Sequence, residues 1–169
     1  MPSRSRITVL LVLALAVVPL ALPAGGAEVT RERATVSFTL EGTATHTGTG
    51  AETNVTVHIR GPVVVMRTDH GLDYLSSRVT VTVAFEDQGR FVFRSANIVG
   101  SYSDDGGELR PERLHFYDSA RRGLVTAELT GDGGGDGEGN DTAGWSGDGR
   151  FIVSARGGIR TYDLTLATG

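Results

Sequence analysis

A chain of 169 residues that is 39% hydrophobic, with 24 glycines, holds one domain with a real core and excludes two. The formal net charge is −4, and without Arg4 and Arg6, which precede the export cleavage point argued below, 14 Arg stand against 20 Asp plus Glu, giving −6. An acidic chain lacks the clustered cations on which phosphate binding rests, which argues against a nucleic-acid partner, and the absence of Cys excludes a disulfide framework, a thiolate metal site and a thiol nucleophile.

Arg4 and Arg6 are followed by an apolar run from Ile7 to Leu22 and then by Pro23-Ala24-Gly25-Gly26-Ala27. Charged, apolar and small residues in that order mark a secretory signal peptide, and about sixteen apolar residues are few for a membrane span. Ser5 separates the two arginines, so the pattern is not twin-arginine. The expectation is a signal peptide over 1–27, cleaved after Ala27 with Ala24 as the alternative. A single all-β domain over 28–169 follows, secreted or extracytoplasmic, with no transmembrane span after cleavage.

The mature chain reads as strands throughout. Thr35 to Leu40 alternates, with Val36, Phe38 and Leu40 on one face, and the Gly- and Thr-rich stretch from Glu41 to Glu52 reads as a loop or a weak strand. Asn54 to Arg60 alternates again. Gly61-Pro62 then breaks the pattern before Val63-Val64-Val65-Met66, an uninterrupted run consistent with burial on both faces. Thr68 to Ser77 reads as a connection turning at Asp69-His70-Gly71.

The clearest signal is Arg78 to Phe93. Val79, Val81, Val83 and Phe85 alternate with Thr80, Thr82 and Ala84, Glu86 to Gly89 supplies the turn, and Arg90 to Phe93 returns. Further strands are expected at Ser95–Ser103, bending at Gly100, at Glu112–Tyr117 with Leu114 and Phe116 on one face, and at Leu124–Leu129. Gly131 to Gly149 holds nine glycines and five carboxylates, which predicts a flexible Gly/Asp-rich loop. Arg150–Ala155 and Arg160–Leu166 form a last hairpin through Gly157-Gly158.

Eight or nine strands with no helical periodicity predict an antiparallel barrel or a two-sheet sandwich. The barrel is preferred, because sequential hairpins close most simply and closure removes exposed edges. The run GRFIVSARGG from Gly149 to Gly158 resembles a stretch near the end of allene-oxide-cyclase-like and dirigent barrels. It covers a tenth of the chain and carries three residues between Phe151 and Ala155 where that family commonly has two, so it assigns no family.

Candidate chemical groups are few. Asp132, Asp136, Glu138, Asn140 and Asp141 offer hard oxygen ligands for Ca²⁺ within a glycine-rich loop. The spacing starts like a calcium loop at Asp136 but has Asp141 where that motif needs Gly and Gly147 where it needs Glu. His46, His58 and His70 lie twelve residues apart, and with His115 they show no zinc-ligand spacing. Gly144-Trp145-Ser146-Gly147-Asp148 falls short of a nucleophile elbow at its last residue. Trp145 is expected to fold back over one end of the β-structure. Asp73, Glu86, Glu112 and Glu128 are the carboxylates available for paired acid–base chemistry, and Asn54 and Asn140 head formal glycosylation triplets.

No triad, ligand set or cofactor fingerprint assembles. The leading expectation is therefore an exported, non-enzymatic domain that binds a small-molecule or surface partner or serves as an envelope component. The alternative is a small secreted barrel enzyme, an isomerase or hydrolase, with a pocket at the barrel mouth. A Ca²⁺ ion held by the acidic loop would raise the melting temperature of the folded protein, and a melting temperature unchanged by millimolar Ca²⁺ removes that site.

Overall fold

Inward-facing Val, Phe, Ile and Leu at every second residue force each segment to pair on both sides, and the chain does so by following its own order around a closed ring. The computed structural model describes residues 29–105, 108–120, 123–132, 144–155 and 158–168. The strands are β1 (Thr30–His46), β2 (Glu52–Thr68), β3 (Gly71–Phe85), β4 (Gly89–Asp105), β5 (Glu108–Ala120), β6 (Gly123–Asp132), β7 (Gly144–Ala155) and β8 (Gly158–Thr168). Each pairs antiparallel with its sequence neighbours, and β1 pairs with β8, so the sheet is a closed barrel of eight strands. The closure runs from Leu40↔Thr168 to His46↔Tyr162, while residues 30–39 of β1 pair with β2 alone. That stagger is the shear a tilted barrel requires.

At several rungs a large inward residue opposes a small one across the ladder. Tyr74 pairs with Gly100, Phe116 with Ala127, Leu129 with Gly147, Leu164 with both Gly149 and Ala44, and Leu166 with Gly42. Two bulky groups at any of these rungs would compete for the same space near the axis. The buried core runs around the ring, including Leu40, Val57, Ile59, Val81, Val83, Ile98, Leu114, Phe116, Leu129, Phe151 and Leu164, and among the described residues no polar or charged residue other than tyrosine and tryptophan is buried.

Several local expectations change. The stretch after Leu40 stays in β1 as far as His46, because β2 and β8 pair with it on either side. Gly61-Pro62 does not end a strand. It sits at a register shift between Arg60 and Val64 in the β2–β3 ladder, a bulge that accommodates the missing proline donor, and β2 runs on to Thr68. Val63 to Val65 is not buried on both faces, since Val63 is 2% exposed and Val64 is 37% exposed. The connection at Thr68–Ser77 shortens to a turn at Asp69-His70, with β3 beginning at Gly71.

The expected loop over 131–149 is also narrower. Gly131 and Asp132 end β6, residues 144–149 open β7, and these ends pair through Asp132↔Gly144 and Gly131↔Trp145. The central hairpin forms as read, with Gly89 at φ 88°, a backbone conformation glycine adopts without strain.

A methyl group at Gly100 would lie 2.1 Å from Tyr74 Cζ. Gly100→Ala is therefore expected to lose about 1–3 kcal/mol in urea denaturation. Adding Tyr74→Leu should recover part of that loss, because the two residues occupy one rung.

Candidate functional site

Aromatic rings plug both ends of the barrel. At the mouth bordered by the β3–β4 turn, Phe85, Phe91, Phe151 and Tyr162 pack with centroid separations of 5.0–6.2 Å. The Tyr162 hydroxyl donates to Gln88 Oε1 at 2.6 Å, which ties the turn down over these rings. His46 lies edge-on to Tyr162 at 5.2 Å, and its Nδ1 accepts from the backbone amides of Gly48 and Thr49, so that nitrogen acts as an acceptor and the ring caps its own turn.

At the other mouth, Tyr74 stacks with Phe38 at 6.0 Å and meets Tyr102 at a tilt at 5.9 Å, and Tyr102 meets Trp145 edge-on at 5.5 Å. Trp145 is 1% exposed, and its backbone amide donates to Thr168 Oγ1 at 2.9 Å, so the tryptophan folds inward as expected and closes this end. The Tyr74 hydroxyl is buried without a hydrogen-bond partner. Burial drives the Tyr74 phenol far above its ordinary value, with the neighbouring Tyr102 adding to the effect. The Tyr102 phenol is raised by burial and held back in part by the polar tips of Tyr74 and Trp145.

Polar chemistry collects instead on the outer rim. A pocket of about 200 Å³ is lined by Thr43, Glu52, Thr53, Asn54, Glu86 and Asp87. Asn54 Nδ2 donates to Glu86 Oε2 at 2.7 Å, and Thr53 Oγ1 is buried without a partner. This rim holds three carboxylates, an amide and two hydroxyls, with no histidine to act as a base. Among the described residues, no group of three His, Asp or Glu side chains is placed to hold a metal ion.

The residues singled out by sequence do not converge. His46 sits by the mouth that Gln88 covers, and His70 is in the turn at the opposite end with its side chain 88% exposed. His58 faces outward beside Thr39 Oγ1 at 3.1 Å, and His115 faces outward beside Thr126 at 3.4 Å. Of the carboxylates, Glu86 belongs to the rim pocket, Asp73 and Glu112 are exposed, and Glu128 pairs with Arg113 at 3.4 Å on the outer wall. Ser146 lies within an extended strand paired with Thr130 and Ala167, not at a strand-to-helix turn. Of the calcium candidates, Asp136, Glu138, Asn140 and Asp141 lie outside the described residues, as does the Asn140 triplet. Asp132 is described only as the strand residue opposite Gly144.

Sequence reading missed a feature of the outer wall. Val64, Leu75 and Val99 are direct cross-strand partners and are 37%, 44% and 50% exposed, and Tyr117 lies diagonally next to Val99 through the Val99↔His115 rung. The signal was there in part: Val64 lies in a run read as wholly buried, and Leu75 in a stretch read as a connection. No family model, curated protein or solved structure matches the chain.

Because the Tyr74 hydroxyl is buried unpaired, Tyr74→Phe should leave stability at neutral pH equal or higher by about 1 kcal/mol. The sign of the pH effect follows from the raised folded-state value. Above the ordinary value of 10.0 the unfolded chain releases the Tyr74 proton first, so stability is full below that pH and declines as pH rises beyond it. Chemical denaturation of Tyr74→Phe across the alkaline range should show a shallower decline.

Proposed function

We propose that this chain is an exported, non-enzymatic β-barrel that acts through its outer wall and rims, with the barrel interior serving as a core. The observation carrying this reading is that aromatic and aliphatic side chains occupy the space a ligand would need. The ring cluster around Phe85, Phe151 and Tyr162 stands at one mouth, and the Tyr74, Tyr102 and Trp145 cluster stands at the other. A pocket enzyme of this architecture would need titratable groups converging at a mouth. The inward polar tips named here are phenols and an indole, groups whose burial favours their neutral forms.

The outer wall supports a water-facing role. Glu41, His58, Arg94, Glu128, Arg150 and Asp163 are exposed on it, and charged residues on a bilayer-facing belt are costly. Arg150 and Asp163 form an ion pair at 3.1 Å across β7 and β8, consistent with a solvated surface. Export rests on the charged, apolar and small-residue order of residues 1–27, and the acidic balance of the mature chain supports a partner other than nucleic acid.

The test uses the mature chain, residues 28–169. Titration with palmitate, followed by calorimetry and by melting temperature, is expected to give no saturable binding and no shift. Stoichiometric uptake that raises the melting temperature would mean that the interior opens to ligand, and would overturn the reading.

A further inference from the structure

We infer that the β2–β5 face of the barrel is a docking surface for a second copy of this chain, paired about a two-fold axis through Leu75. The inference rests on the reading above, in which the outer wall is the working surface. Single exposed apolar residues are ordinary, but here Val64, Leu75 and Val99 fall on one rung of three adjacent strands, and Tyr117 extends the patch onto the fourth. Exposed apolar residues elsewhere on the wall, Val92 and Ile159, are not rung partners of this row, and on the opposite side Arg150 pairs with Asp163 and Thr165 donates to Asp148 across β7 and β8.

Charge placement selects the occupant. Asp73 and Arg78 are both exposed and lie on β3 on either side of Leu75, with Ser77 and Arg78 falling in the register shift between Ser76 and Val79. Neither residue has an ion-pair partner among the described residues. A two-fold interface is isologous, so any group on one side of the axis meets its counterpart from the other side. Laying β3 antiparallel on the β3 of a second copy brings Leu75 against Leu75. It also sets Asp73 of each copy opposite Arg78 of the other.

One strand thus carries an apolar centre and opposite charges at its flanks, the arrangement that complements itself after a half turn. A barrel wall is convex, which keeps such a contact at the small end of stable interfaces, about 1,200 Å² in total, with Tyr117 supplying the aromatic anchor at its edge.

The experiment is sedimentation equilibrium of the mature chain, residues 28–169, from about 1 µM to about 1 mM, with circular dichroism to confirm that each variant folds. A concentration-dependent dimer is expected. Leu75→Glu and, separately, Val99→Glu should each weaken it by at least about tenfold, since neither side chain is part of the core. Asp73→Arg should weaken it by about fivefold, and the charge swap D73R/R78D should restore it to within about twofold. A monomer over the whole range overturns the pairing, as does a dimer indifferent to both glutamate variants. Failure of the charge swap to rescue overturns the two-fold register. None of these outcomes bears on palmitate uptake, so failure of the dimer and failure of the filled-core reading are told apart.

Discussion

The structure depends on fitting its largest inward side chains around one narrow axis. In a ring of eight strands the inward side chains share a narrow axis, so although Phe151↔Tyr162 and Ile98↔Phe116 set two large residues side by side, room is gained where bulk on one strand has a small partner. Tyr74 over Gly100, Phe116 over Ala127 and Leu164 between Gly149 and Ala44 meet that condition on different parts of the ring. The glycines here are less about backbone freedom than about the absence of a Cβ. At Gly147 the added atom would lie 2.4 Å from the Glu128 carbonyl oxygen, so even the ladder itself leaves no room.

The same condition limits the space inside the barrel. An eight-stranded barrel has an interior just large enough either to be filled by side chains or to hold one small ligand. This chain places two clusters of rings in it, one at each mouth, and fastens one of them with the Tyr162–Gln88 hydrogen bond. The hydrogen bond and ring contacts make the β3–β4 turn part of the core's closure. The buried, unpaired Tyr74 hydroxyl is the one polar cost visible in that packing, and the ring's contacts with Phe38 and Tyr102 offset it through area and geometry. Polar groups gather at the rim pocket, where Asn54 donates to Glu86.

Much of the architecture was legible because it is local. The hairpin from Arg78 to Phe93 is readable from strict alternation and a glycine-ended turn, and both properties belong to adjacent residues. The same holds for Leu114 and Phe116, and for Phe151, Val153, Tyr162, Leu164 and Leu166, all of which are buried. Alternation failed at Val63–Val65, where three valines in a row hide which faces outward. It failed again at Thr68–Ser77, where turn-forming residues occupy strand positions because neighbours on both sides supply the hydrogen bonds. At Gly61-Pro62 the break in pattern was real, but its consequence was a bulge, an outcome set by the ladder with β3.

By itself the sequence determined an all-β domain of about eight strands, an apolar interior and the order of the hairpins, since period-two patterning and turn residues act within a few positions. Tertiary structure alone decided that β1 meets β8, that Tyr74 lies across Gly100, that Tyr102 is the ring Trp145 meets, and that Val64, Leu75 and Val99 form one outward row. Those facts are registers between residues far apart in the chain. A register is chosen by the packing of the whole ring, because a slip of one residue would turn a strand's inward side chains outward and every neighbouring rung must fit the offset.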